Sequence, residues 1–184
     1  MQGTCTNIGL EFKRNHEDNK SILQLSCYCD ANWAQDKLDR KSVGGYLVRI
    51  NNDVVSWQVK KQSTVALSST EAEYMQATQA AKEVKWFLNL FTELYNISED
   101  EYYKPHTVMY CDNQSAIELS NNDIYHDRTK HIDLRYHFIR ECIQRKLFSI
   151  EYIPTSEQQA DIFTKGLDRI KFIKFRNMIM TKNE

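Results

Sequence analysis

The stretch LQLSCYCD, residues 23–30, alternates apolar and polar side chains and ends on an aspartate. Leu23, Leu25, Cys27 and Cys29 fall on one face and Gln24, Ser26, Tyr28 and Asp30 on the other, the period-two pattern of a half-buried strand. A second run, TVMYCD at residues 107–112, reads as a buried strand and also ends on an aspartate. Open α/β sheets gather ligands at the carboxyl ends of their strands, so the pair Asp30 and Asp112 points to an α/β sheet with a site at that edge. Taken singly, either aspartate reads more readily as a turn or helix cap.

Outward from these strands the order of elements follows. GYLVRI and VVSWQV flank NND at residues 51–53 as an antiparallel hairpin, which makes the first three strands a meander. A long helix is expected over residues 70–95 and another beginning beside Asn113. Residues 130–146 place Ile132, Tyr136, Ile139 and Ile143 on one stripe of an amphipathic helix. LFSIEYI is the last strand and Pro154 stops it. Ser156 with Gln159 offers a capping box for a helix through Lys165 that Gly166 closes. The order β-β-β-α-β-α-α-β-α predicts a mixed sheet with helices packed against it.

SSTEAEYMQA, residues 68–77, puts two glutamates at the front of the long helix. At about 100° per residue, Glu73 shares a face with Ala77, Ala80, Val84, Phe87, Leu88 and Phe91, and is the only charge on it. Glu71 lies about 160° away, with Thr78, Lys82, Lys85 and Asn89, where a first-turn dipole role or a solvated ion pair is natural. Glu73, Asp30, Asp112 and the later Asp161 form a set of carboxylates. Brought together unpaired they repel, unless a hard divalent cation neutralises them.

The 184 residues suffice for one domain with a core of its own. Its 24 basic and 25 acidic residues nearly cancel, which excludes a polyanion binder held by bulk charge and leaves any nucleic-acid contact local. Five cysteines without zinc-finger spacing, two of them in SCYCD, read as reduced core thiols in an intracellular setting. The opening residues lack a long apolar segment, and no run of about 18 apolar residues occurs, so neither secretion nor a membrane span is expected. Residues 1–20 are polar and read as a lead-in.

CYCDANWAQD, KSVGGYLV, VVSWQVKKQSTVALSSTEAEYMQA, MYCDNQSAI, RTKHIDLRYHFIRE and QQADIFTKGL together resemble the ribonuclease H domain at the C-terminal end of copia-type LTR retrotransposon polyproteins. QGTCTNIGLEFKR resembles the connection to an upstream reverse transcriptase, and KFIKFRNMI the last helix of the polyprotein. The resemblance implies a ribonuclease H-like fold with a five-stranded mixed sheet. It divides the chain into a lead-in (1–20), the ribonuclease H domain (21–166) and a C-terminal helical tail (167–184). It implies cleavage of the RNA strand of RNA–DNA hybrids by two Mg2+ ions, with Mn2+ able to substitute, leaving 5′-phosphate and 3′-hydroxyl ends.

Carried onto this sequence, the resemblance gives Asp30, Glu73, Asp112 and Asp161 as the metal-binding catalytic acids. Gln114 matches a position that contacts RNA. Partners are the hybrid and the reverse transcriptase domain of the parent polyprotein, in a cytoplasmic virus-like particle or the nucleus; the sequence leaves the oligomeric state open. Many cellular relatives carry a histidine in the loop before the last aspartate, and the corresponding PTSEQQA has none.

Hybrid recognition without sequence preference calls for amides, hydroxyls and phosphate-facing cations. Ser68, Ser69 and Thr70 stand at a loop-to-helix junction suited to such contacts, with Ser69 or Thr70 equally readable as the helix N-cap. Arg128, Lys130, Arg135, Arg140, Arg145 and Lys146 form a basic surplus that is either a DNA-facing surface or a solvated helix face. Trp33 and Trp57 could stack on sugars, although burial is the commoner fate of tryptophan. The rival function is a binding or assembly module of the same fold without catalysis.

Overall fold

The computed structural model describes residues 8–12, 24–95, 106–121 and 130–182. Its elements are β1 (Ile8–Gly9), β2 (Gln24–Asn32), β3 (Val43–Ile50), β4 (Asp53–Lys61), α1 (Ser69–Tyr95), β5 (His106–Cys111), α2 (Gln114–Asn121), α3 (Lys130–Gln144), β6 (Ser149–Tyr152), α4 (Asp161–Thr164), α5 (Arg169–Ile179) and β7 (Thr181–Lys182). The main sheet has five strands in the order β4-β3-β2-β5-β6. β2 to β4 are antiparallel neighbours, whereas β5 runs parallel to both β2 and β6. The expected order and the mixed sheet are therefore both present.

The β3–β4 hairpin closes through Asn51 and Asn52, both at positive φ (48° and 75°). Asparagine tolerates that left-handed region, and two such residues suit the right-handed twist of a two-residue hairpin. A bulge where Val48 gives way to Arg49 aims the Arg49 side chain beneath the sheet. Its guanidinium donates to the carbonyls of Asn52 (2.9 Å) and Met178 (2.6 Å) and to Gln159 Oε1 (2.6 Å). The chain after the last strand is thus clamped to β3.

Alternation divides the sheet into two faces. Leu25, Cys27 and Cys29 join Tyr46, Val48 and Met109 in one core with Tyr74, Ala77, Ala80, Val84, Phe87, Leu88 and Phe91 of α1 and with Ile139 and Cys142 of α3. The stripe expected on α1 is buried throughout, but Thr78, expected on the outer side, is buried as well, its hydroxyl donating to Tyr74 O at 2.9 Å. α1 meets α2 and α3 as well as the sheet, so its covered arc is wider than one amphipathic stripe. Ile132, Tyr136 and Leu23 fall outside the described side chains.

On the opposite face, α4 lies against β2 and β3. Gly45, opposite Asp30 in the register, makes this approach possible: a Cβ there would stand 2.8 Å from Phe163 Cβ. The capping box expected from Ser156 and Gln159 does not form, and the helix is only four residues long, beginning at Asp161. Its N-cap is Ala160, whose methyl can accept no hydrogen bond, and the Gln159 side chain is taken by Arg49. The helix ends at Lys165 in extended conformation, before Gly166 and without a left-handed closing residue. Asp168 then caps α5, accepting from Ile170 N (2.9 Å) and Lys171 N (3.0 Å). β1 and β7 form a small antiparallel pair that joins the lead-in to the tail. Among the described residues, no helix is long and apolar enough to cross a membrane.

Candidate active site

Asp30 projects from β2 to the face covered by α4 and is fully buried. Glu73, on the first turns of α1, comes down beside it, its Oε2 accepting the Ala31 N–H at 3.1 Å. Asp112 follows the last residue of β5, half-buried, and accepts the Thr155 hydroxyl at 2.8 Å. Asp161 is the first residue of α4 and has no exposed surface. Carboxylate oxygens of Asp30, Asp112 and Asp161 lie within 4.8 Å of one another, as do ligand atoms of Glu73, Cys111 and Asp112. Asp112 is shared, so the four acids expected from the sequence converge on one place.

The placement of α4 depends on a buried glutamine. Pairing of β2 with β5 ends at Tyr28 and Tyr110, and Gln158 Nε2 donates to the carbonyls of Cys29 (3.0 Å) and Tyr110 (3.4 Å). Its Oε1 accepts the Ala160 N–H at 3.2 Å, and Asn32 Nδ2 reaches Thr164 O at 3.2 Å. The loop before Asp161 is therefore pinned to the two strands that carry Asp30 and Asp112.

Two lysines that the sequence reading passed over complete the site. Lys165 Nζ lies 3.0 Å from Asp30 Oδ1 and 2.8 Å from Asp161 Oδ1, bridging the two fully buried carboxylates. Lys171 Nζ lies 2.5 Å from Asp161 Oδ2, and the Thr164 hydroxyl donates to Asp30 Oδ2. Their only trace in the sequence is spacing: Lys165 stands one helical turn after Asp161.

Burial pushes the Asp30 carboxyl up, against the pull of Lys165 and the Thr164 hydroxyl. Glu73 is raised well above the carboxylate range, by burial first and then by the charge of Asp30. For Lys165, burial works against the charge but is outweighed by Asp30 and Asp161, so its ammonium is held above the usual range. A carboxyl pushed up by burial among other acids is one whose ionised form a divalent cation would stabilise. The all-oxygen donors of Asp30, Glu73, Asp112 and Asp161 suit a hard ion such as Mg2+.

The junction before α1 gives the two glutamates different surroundings. Ser68 Oγ accepts the Glu71 N–H at 3.1 Å, and Glu71 Oε2 accepts the Leu67 N–H at 2.7 Å. The pair is a reciprocal cap, so Ser68 is the N-cap in place of Ser69 or Thr70, and Glu71 is occupied structurally. Ser68 and Ser69 are exposed and Thr70 half-buried. Gln114, exposed, shares an open cleft with Glu73, Asp112, Asn113, Ser115 and Tyr152.

Other expectations divide. Trp33 and Trp57 are exposed (45% and 53%), against the expectation of burial; Trp33 Nε1 donates to Ala66 O at 2.9 Å. On the basic helix Arg145 pairs with Glu141 (3.2 Å) and Arg140 donates to Leu119 O (3.5 Å), which engages two of the six cations within the fold. Arg128 and the side chain of Lys130 lie outside the described residues.

No protein-family model matches the chain. It is 47% identical over 148 residues to the retrovirus-related Pol polyprotein from transposon TNT 1-94 of Nicotiana tabacum, covering 80% of this chain and 11% of that protein. It is 41% identical over 173 residues to the corresponding polyprotein from transposon RE1 of Arabidopsis thaliana, covering 94% of this chain and 11% of that protein. The chain therefore spans about a ninth of the length of these relatives. Among solved structures it resembles RNase H1 from Halobacterium salinarum NRC-1 (TM-score 0.54, 12% identity, 77% of this chain and 94% of that one). LC11-RNase H1, solved in complex with an RNA/DNA hybrid, is equally similar in fold (TM-score 0.54, 10% identity, 77% and 94%). With sequence relatives that cover most of its length, the chain belongs to the retrovirus-related Pol polyproteins of copia-type transposons, and the part of them that it spans has a ribonuclease H-like fold.

Proposed function

We propose that the domain is a metal-dependent endoribonuclease that cuts the RNA strand of RNA–DNA hybrids during reverse transcription of the element. The observation that carries this reading is the convergence of Asp30, Glu73, Asp112 and Asp161, from four separate elements, at the carboxyl edge of the sheet. These acids would hold two Mg2+ ions, with Asp112 common to both clusters; Mn2+ would substitute. Bound metal supplies an activated water and charge stabilisation for the leaving 3′ oxygen, so products carry 5′-phosphate and 3′-hydroxyl ends.

The chain's own residues do the remaining work. Buried Asp30 and Asp161 fix the site on rigid backbone, and the Ala31 amide orients Glu73. Gln114 shares the open cleft with Glu73 and Asp112, and Ser68, Ser69 and Thr70 stand at the start of the helix that carries Glu73; these side chains would meet phosphates or 2′-hydroxyls along the RNA strand. A reverse transcriptase domain in the parent polyprotein would add affinity for the hybrid, in a virus-like particle or the nucleus. The test is cleavage of end-labelled RNA presented as hybrid, as duplex RNA and as a single strand, with and without magnesium. Cleavage of the hybrid alone, dependent on magnesium, is expected. Hybrid binding without cleavage at any metal concentration would instead favour the assembly-module reading.

A further inference from the structure

Four carboxylates converging on one site should leave the metal-free protein strained by repulsion. The fold answers that strain before any metal arrives. Lys165 Nζ bridges Asp30 and Asp161 at 3.0 and 2.8 Å, and both carboxylates are fully buried. An ammonium at those distances stands where a cation shared by the two acids would have to stand.

The lysine is held there by the local chain. The extended backbone at Lys165, which ends α4, lets the side chain turn back over the helix's own first residue. Its partner Asp30 is fixed by the Thr164 hydroxyl from the same helix. Lys171, in the first turn of α5, satisfies the other oxygen of Asp161 and is braced over the Phe175 ring at 5.4 Å. The two lysines differ in consequence: Lys171 touches Asp161 on Oδ2, whereas Lys165 takes the Oδ1 atoms of both acids. The Lys165 side chain is 32% exposed, so it has a way out to solvent.

We propose that Lys165 is an internal counter-ion that competes with the divalent cation for Asp30 and Asp161, so that metal entry requires its ammonium to leave the site. In the metal-free state it offsets carboxylate repulsion and keeps the fold closed around an empty charge cluster. On metal binding it swings outward, and the affinity of the site is set by the difference between the two cations. Lys165 is thus an affinity-determining residue of the metal site; the claim rests on the reading of Asp30 and Asp161 as metal ligands.

The experiment is Mn2+ binding, measured by electron paramagnetic resonance on the chain without nucleic acid, for wild type and Lys165→Met. Removal of a charge in contact with the ligands should tighten Mn2+ binding about tenfold, well below the unscreened Coulomb value because the side chain is partly solvated. The metal-free melting temperature of the variant should fall, and the rise on adding Mn2+ should exceed that of wild type. A second measurement needs no variant: reductive methylation of Lys165, read by mass spectrometry, should be slow in metal-free wild type and faster with saturating Mg2+. Equal or weaker Mn2+ binding by Lys165→Met, or methylation of Lys165 unchanged by Mg2+, would overturn the competition. Absence of Mn2+ binding by wild type would instead defeat the metal-site reading itself.

Discussion

Glu73→Gln is expected to abolish cleavage of the hybrid while leaving the fold intact, and Glu71→Gln, two residues away, to retain most of the activity. Glu73 is buried beside Asp30 and Asp112 and orients on the Ala31 amide, whereas Glu71 caps its own helix. Loss of one anionic ligand forfeits several kcal/mol of charge stabilisation, or about a hundredfold to a thousandfold in rate. Glu71→Gln should cost about 0.5–1 kcal/mol of stability, the usual worth of a cap. Steady-state rates and denaturant midpoints of both variants separate the two roles; a reversed ranking would overturn the assignment.

The same substitution has a signature in metal-free protein. Burial and the Asp30 charge raise Glu73 above its ordinary value, so the folded chain keeps a proton that the unfolded chain gives up. Stability then falls as pH rises past the unfolded carboxylate pKa and levels off above the folded value. Asp30, also raised by burial, contributes with the same sign. Glu73→Gln should flatten this decline.

Asp161→Asn has the second large expected effect, on both rate and stability. The variant removes a proposed metal ligand and also the carboxylate that holds Lys171 and half of the Lys165 bridge. Hybrid cleavage in Mg2+ should fall about a hundredfold, with partial recovery in Mn2+, which accepts less regular ligand sets. Breaking one partner of a fully buried pair is costly, but both lysines are partly exposed and Lys165 keeps Asp30, so about 1–2 kcal/mol of stability should be lost. Chemical denaturation and rates in the two metals measure both effects; wild-type activity in Mg2+ would show that Asp161 is not a ligand.

Much of this arrangement is legible in the sequence because simple periodicities carry it. Leu25, Cys27 and Cys29 alternate into the core with Asp30 facing the other way, and the α1 stripe brings Glu73 to the sheet. What the sequence hides are side chains whose partners lie far along the chain. Gln159 follows Ser156 at capping-box spacing, yet Arg49, 110 residues earlier, takes its side chain, and the helix shortens to four residues. Gln158, unremarkable in QQAD, is what pins the loop under β2 and β5.

The two exposed tryptophans and the lysines about Asp161 belong to the same class. Trp33 finds its hydrogen bond at Ala66 O on a distant loop and need not be buried to be satisfied. Lys165 reads as the last residue of a short helix and Lys171 as an ordinary charge of the tail, and they join the site only because α4 packs on β2 and α5 on α4. Asp161 itself is fully buried and held by two cations that only the folded tail brings to it. Thr78 was misplaced because helical phase tells which side faces the sheet, not how many other elements cover the helix.

The central claim is that acids from four separate elements form one divalent-cation site, and the most direct measurement is the melting temperature of the isolated chain across a magnesium titration. A ligand that binds only the folded state raises it in proportion to the logarithm of its concentration over Kd. Wild type should show this rise at millimolar Mg2+, and Asp30→Asn combined with Asp112→Asn should show none. An equal rise in the double variant, or none in wild type, would contradict the shared site.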